Sequence, residues 1–386
     1  MTSISSLSSG LAALTILTDS ARARHGSGAT PPALRPVVAS AADMPHIDGA
    51  RLTVKTSQNP DTLVQDTSAL RRAAELAGAE SSAPGKPTPA WLDSFSAYVR
   101  ARYSAPVPNT ESGETVEFRV IQVHANAKGQ TGPGHDIVFV GGNATVDTGD
   151  GDDFVYLATN GRAYLGNGND HVYQAVNSTS YGQAGNDTFR LAGNGRAFGG
   201  DGDDSFRLDE NGTAFGGAGN DSIEIWSNGT GYGGEGDDVI DGHGFGNMHG
   251  GAGNDVLKGG GVYARFTGGT GNDTLVMTGY GTINYSSGDG DDVIRSFHAG
   301  GDFNRRTLAF GKGIRKEDVE ITTTDQGVRI TFGAKEGSIL LEGYQKGRVA
   351  MTFANGDKLA IGTEADAKPA AAKPGAAPGT TVNVTT

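Results

Sequence analysis

Residues 216–224 read GGAGNDSIE, 233–241 GGEGDDVID, 250–258 GGAGNDVLK and 268–276 GGTGNDTLV, and these four strings decide the fold. Searching outward from them, a loop pattern, in most copies G-x-G-[D/N/H]-D, recurs ten times between Gly132 and Asp292. Its last acid falls at Asp136, Asp153, Asp170, Asp187, Asp204, Asp221, Asp238, Asp255, Asp273 and Asp292, so that seven equal steps of 17 residues are followed by one of 18 and one of 19. Self-similarity at a fixed period is the mark of a repeat architecture.

Other columns keep the same phase. Two residues after each Asp stands an apolar side chain: Val138, Val155, Val172, Phe189, Phe206, Ile223, Ile240, Leu257, Leu275 and Ile294. β-Branched, aromatic and leucine residues between variable neighbours predict a short strand with one inward position. Seven residues after the Asp comes Asn143, Asn160, Asn177, Asn194, Asn211 or Asn228, four of them followed by glycine, a pair suited to the positive φ of a tight turn. Four residues further on lie Tyr164, Tyr181, Phe198, Phe215 and Tyr232. Each period therefore reads turn, strand, turn, strand. Such a unit buries its apolar face only by stacking on copies of itself. The expected fold is all-β: a parallel β-roll or β-solenoid of 17-residue coils.

Composition agrees. Glycine, at 62 of 386 residues, is about twice as frequent as in ordinary proteins, yet well short of the one-third of collagen. The net charge is −13, and residues 136–295 hold 23 of the 44 acidic side chains but only 7 of the 31 basic ones. That balance disfavours a nucleic-acid partner bound through its phosphates and points to cations. Cysteine is absent, which excludes disulfides and cysteine-type zinc sites. No apolar run is long enough to span a membrane as a helix, and the N-terminal stretch has no basic residue ahead of Leu11–Leu17, so it fails the pattern of a cleavable secretory signal.

The chemistry of the acidic column follows from stacking. At a strand spacing of about 4.8 Å, two like unit charges repel by roughly 0.9 kcal/mol in water and about 3.5 kcal/mol at an effective dielectric of 20. A file of ten calls for counter-ions. Carboxylates and glycine carbonyls are hard oxygen donors, which suits Ca2+ better than magnesium or zinc. With these residues in view, the four strings resemble the nonapeptide G-G-x-G-x-D-x-U-x of the repeats-in-toxin (RTX, haemolysin-type calcium-binding) family. The resemblance covers about 132–297. It implies a parallel β-roll that folds on calcium, with the ten Asp residues as side-chain ligands and Gly199, Gly202, Gly216, Gly219, Gly233, Gly236, Gly250, Gly253, Gly268 and Gly271 supplying carbonyls. It also implies export by a type I secretion apparatus. Only one half of each coil keeps the calcium motif, so several calcium ions are expected mainly along one edge, with a ladder of stacked asparagines along the other. The first three loops depart from the motif at Pro133, His135, Thr148 and Leu165, which predicts weak or empty sites there.

The flanks read differently. Residues 1–114 are expected to be mostly disordered, with helices near 66–79 and 88–103; in the second, Thr88-Pro89 starts a run with Trp91, Leu92, Phe95, Tyr98 and Val99 at helical spacing, read as a packing stripe. Residues 115–131 are expected to form a capping strand, residues 298–362 a small β cap resembling the module that often follows such arrays, and residues 363–386 a disordered tail and candidate export signal. No H-E-x-x-H or G-x-S-x-G motif occurs, so no enzyme is expected. The function expected is a secreted, extracellular calcium-binding protein with a structural, surface or adhesive role. The alternative is a type I-secreted toxin or effector acting on host membranes or proteins through its N-terminal region.

Overall fold

A computed structural model describes residues 46–55, 115–243, 246–260, 264–296, 306–333, 337–344, 349–362 and 384–385. The chain winds into a β-solenoid. Strands β1 (His46–Lys55), β2 (Thr115–Val123), β3 (Lys128–Gln130), β4 (Asp136–Val140) and β5 (Thr145–Asp150) begin two facing sheets, and from β2 as far as Arg306–Phe310 the chain alternates between them. In the first sheet each strand after an Asp loop pairs in parallel with its counterpart one coil away, Phe189 with Phe206 and Phe206 with Ile223. In the second, Phe198 pairs with Phe215 and Phe215 with Tyr232. Parallel pairing in unbroken register is what an exact period requires.

The core lies between the sheets. All ten residues of the apolar column are buried, and Leu208 and Ile225 add a second inward position two residues on. The opposing sheet contributes small residues, Ala197, Ala214 and Gly231, and a Cβ at Gly231 would come within 3.0 Å of Ile223 Cγ2. Outside, the aromatic column forms one continuous stack from Tyr164 through Tyr181, Phe198, Phe215 and Tyr232 to His249, with centroids 4.6–4.9 Å apart and planes within 12° of parallel. The strand spacing dictates this face-to-face arrangement, in which Tyr164 and Tyr181 are buried and Phe198, Phe215 and Tyr232 are half-buried.

At the ends the structure adds four features to the expected plan. Residues 115–131 are a coil of the solenoid rather than a cap, since β2 pairs in parallel with β4 and β3 with β5. The edge of β2 is closed by β1, which runs antiparallel to it inside the region expected to be mostly disordered. An unpaired edge needs covering, and the alternating Leu52-Thr53-Val54 supplies the cover. At the far end the described part of residues 298–362 is mainly β structure as expected, but Ser338–Glu342 and Val349–Phe353 add a further parallel coil, joined to Asp291–Ser296 and Arg306–Phe310. Glu320–Thr323, Gly327–Thr331 and Lys358–Ile361 turn antiparallel and end the stack. Val384–Thr385, in the tail expected to be disordered, pairs with Lys358–Ile361. The helices expected near 66–79 and 88–103 lie outside the described residues. Among the described residues no helix is long and apolar enough to cross a membrane.

Candidate cation sites in the loop edge

Each Asp of the repeat precedes a strand whose next-but-one residue points into the core, so the Asp side chain points inward too. All ten are buried, 0–3% exposed. Oδ1 of each one after Asp136 accepts the backbone N–H of the Asp one coil earlier: Asp187 N to Asp204 Oδ1, Asp204 N to Asp221 Oδ1 and Asp221 N to Asp238 Oδ1 are each 2.7 Å, and the file continues unbroken from Asp136 to Asp292.

A second row, to which the repeat pattern alone assigned no role, runs the opposite way. The residue before each Asp accepts the N–H of its counterpart one coil later, as in Asp203 N to Asn186 Oδ1, Asn220 N to Asp203 Oδ1 and Asp237 N to Asn220 Oδ1 at 2.7–3.0 Å. Asp and Asn interchange in this row because only an acceptor is needed. The signal is present in the sequence: that position is restricted to Asp, Asn and one His. His135 plays the same part, its Nδ1 accepting from Asp152 N.

The inner row is different, because its second oxygen has no such use. Oδ2 of Asp153, Asp170, Asp187, Asp204, Asp221, Asp238, Asp255 and Asp273 is buried and has no hydrogen-bond partner. From Asp187 onward each faces the first glycine of its own loop: Gly182, Gly199, Gly216, Gly233, Gly250 or Gly268. A Cβ on Gly199 would overlap Asp204 Oδ2, lying 2.6 Å from Asp204 Cγ and 2.7 Å from the carbonyl oxygen of Gly216 in the next coil. On Gly233 it would sit 2.5 Å from Asp238 Cγ and 2.6 Å from the carbonyl of Gly250. These first glycines have no positive φ; they are needed for room. The later ones, such as Gly202 and Gly219 (φ +128° and +135°), are needed for conformation. Gly236, Gly253 and Gly271 share that conformation, and their N–H groups bond forward to the carbonyls of Ala252, Thr270 and Asp289.

The result is a repeated cradle in which a carboxylate oxygen and a glycine carbonyl, both acceptors, converge with no donor between them. An Asn at these positions would satisfy the cradle by itself, its amide donating to the carbonyl; all six carry Asp. The oxygens therefore fit a hard cation, or a proton. Among the described residues no three His, Asp or Glu side chains gather at one point; each cradle offers one carboxylate, and the remaining donors are backbone.

Burial raises the carboxyl pKa values: first by desolvation and then by neighbouring carboxylates, Asp204, Asp238 and Asp292 are pushed up to about 8 and Asp273 to about 7. Asp221 and Asp255 are raised to about 6 by burial. Asp153, Asp170 and Asp187 are raised well above the ordinary range by burial and by the next carboxylate in the file.

The first loops differ, as expected from their sequence. Thr131 and Thr148 stand where the first glycine would be, and their hydroxyls donate to the carbonyls of Thr148 and Leu165. Leu165 fills the corresponding space beside Asp170 with a buried apolar side chain. Asp136 already has a cation. Arg119, one period earlier on β2, donates to Asp136 Oδ1 at 2.7 Å and to Oδ2 at 2.8 Å, and also to the carbonyl of Pro133 at 2.8 Å. The loop motif does not single out this residue; extending the 17-residue step back once from Asp136 reaches it. In the last loop Ser287 replaces the first glycine. The Gln183 backbone of the Asp187 loop takes φ +84° where most copies have glycine.

On the opposite edge the asparagine ladder is shorter than expected. Side-chain amides link Asn160 to Asn143 and Asn143 to Asn126, each at 3.2 Å, and Asn126, Asn143, Asn160 and Asn177 share φ values of 57–61°. Asn194, Asn211 and Asn228 do not adopt the left-handed conformation, so the turn changes shape halfway along the stack. No family model matches the chain, and a search of curated proteins finds no match.

Proposed function

We propose that this protein is a calcium-binding β-solenoid of the RTX type, whose glycine-bearing coils are ordered by Ca2+ held in the loop edge, and that it serves outside the cell in a structural, surface or adhesive role. The observation that carries the reading is the file of six buried Asp Oδ2 atoms, each without a partner and each fronted by a glycine, five of them, from Asp187 to Asp255, also facing a glycine carbonyl of the next coil across a space that a methyl group would close. Asp187, Asp204, Asp221, Asp238, Asp255 and Asp273 would hold the ions, with carbonyls of Gly199, Gly216, Gly233, Gly250 and Gly268 from the following coils. The ion supplies positive charge where buried carboxylates repel one another. Hard oxygen ligands select calcium, and the millimolar calcium that modules of this kind require is found outside cells.

The test is a calcium titration of the full chain by calorimetry, with circular dichroism in EDTA and in calcium. The expected stoichiometry is about six, one per glycine-fronted cradle, with β signal reduced and the urea midpoint lowered on chelation. No heat of binding, together with an unchanged β signal and urea midpoint in EDTA, refutes the proposal.

A further inference from the structure

Alternation along the first sheet puts residues one and three positions after each Asp on its outer face. In the later coils these are exposed, as expected: Ser205, Ser222, Arg207 and Glu224 face solvent, and Val239 is 48% exposed. In the first coils the same columns hold Ile137, Phe139 and Phe154, which are 0–1% exposed, and β2 adds Phe118 and Val120 at 0% and 2%. Ile137 and Val239 occupy the same position of the repeat and differ from fully covered to half open. None of these five residues belongs to the core between the sheets.

They form a second apolar surface, carpeted with rings. Phe154 stacks on His171 at 5.1 Å, Phe139 lies 6.2 Å from Tyr156, and Tyr156 stacks on Tyr173 at 5.5 Å. Burial holds His171 neutral, its pKa lowered to about 4. The described strands do not cover this face, since β1 pairs beside β2 in the plane of the sheet.

We infer that the face is the seat of the chain's own segment 88–103, docked through Trp91, Leu92, Phe95, Tyr98 and Val99. Connectivity favours this occupant. Residues 56–114 leave from the end of β1 and return at the start of β2, two paired strands at the margin of the patch. Dimensions agree: a helical stripe from Trp91 to Val99 is about 12 Å long, and the patch spans three coil steps of about 4.8 Å, roughly 14 Å. Chemistry agrees as well. The stripe is aromatic and aliphatic like the patch, whereas residues 363–383 are Ala, Pro, Lys and Gly-rich with no aromatic side chain. Seated there, the stripe is spent on the solenoid and is not free to enter a membrane. The inference stands whether or not cations fill the loop edge.

The chain has two tryptophans, so Trp226→Phe in the full-length protein leaves Trp91 as the reporter. The expected result is blue-shifted emission and weak quenching by acrylamide. Phe139→Asp and Phe154→Asp should each red-shift the emission and raise the quenching constant severalfold, while Ser222→Asp, in the same outer column further along, leaves both unchanged. In case the aspartate variants do not fold, proximity is read directly: in this cysteine-free chain, Ser94→Cys with Tyr156→Cys should cross-link within one molecule through a short bis-maleimide. Free quenching of Trp91 in the parent, or the absence of intramolecular cross-linking, overturns the inference. So does cross-linking only between molecules, which would make the occupant a second copy, or protection of the patch that depends instead on residues 363–386.

Discussion

Asp238→Asn should change sign with calcium. The side chain keeps its size and its acceptor oxygen, so the bond from Asp221 N at 2.7 Å survives. The second position becomes an N–H2 group aimed at the cradle shared with the Gly250 carbonyl, converting an unpaired acceptor into a donor. An unsatisfied buried polar group costs about 1–3 kcal/mol, more when charged, so in EDTA at pH 8 the variant should be more stable by about that amount. In saturating calcium the sign reverses. At a free ion concentration about 100 times the dissociation constant each bound ion stabilises by about 2.7 kcal/mol, and the variant forgoes one. Urea unfolding followed by circular dichroism, in EDTA and in calcium, gives both numbers, and calorimetry should count one ion fewer. Equal destabilisation in both buffers would falsify the cation-cradle argument, because it would mean that the carboxylate serves only as a structural acceptor.

Three further outcomes follow from the same geometry. The carboxyl pKa values are raised in the folded state, to between about 6 and about 8 at Asp204, Asp221, Asp238, Asp255, Asp273 and Asp292, against about 3.9 when unfolded. The metal-free fold therefore binds more protons than the unfolded chain, and its stability should fall as pH rises from about 4 through 8, while calcium affinity rises over the same window because the ion must displace those protons; urea midpoints at pH 5 and pH 8 in EDTA that coincide, or a reversed order, contradict this. Arg119→Met strips Asp136 of its cation while Arg119 is itself partly exposed, so a loss of about 2–4 kcal/mol should appear as faster amide exchange at Asp136–Val140, with Asp136→Asn restoring most of it; exchange unchanged by Arg119→Met counts against the cap. Leu165→Gly opens the space beside Asp170 and should raise the calcium count by one, at a cost of about 3–5 kcal/mol for the emptied apolar volume; an unchanged count would show that a glycine in front of the Asp does not suffice to make a site.

Much of this architecture is legible in the residues themselves. In a stacked repeat, residues one period apart lie one strand spacing apart, so a column in the alignment of the chain with itself becomes a column in space. That is why Val138 to Ile294, the Asp file and the aromatic stack from Tyr164 to Tyr232 are legible, as are the loops at Thr148 and Leu165 that lack the first glycine. The edge strands are not. β1 and Val384–Thr385 pair antiparallel with strands outside the repeat, and no periodicity marks them.

The sequence alone determined the period, the inward apolar positions and the supply of oxygen ligands, because identical units stacked in parallel leave little freedom in register. Tertiary structure decided where each carboxylate points. The acidic file could have faced solvent as a hydrated, screened surface. Instead each Oδ1 after Asp136 accepts a backbone N–H from the neighbouring coil and draws its carboxylate inward, and from Asp187 to Asp255 this leaves Oδ2 buried facing a glycine carbonyl. The closing of β2 by β1, the Arg119 guanidinium at the head of the Asp file and the buried outer face of the first coils also emerged only in three dimensions. Each depends on which surfaces remain uncovered once the coils have stacked, a property of the assembled object rather than of any single repeat.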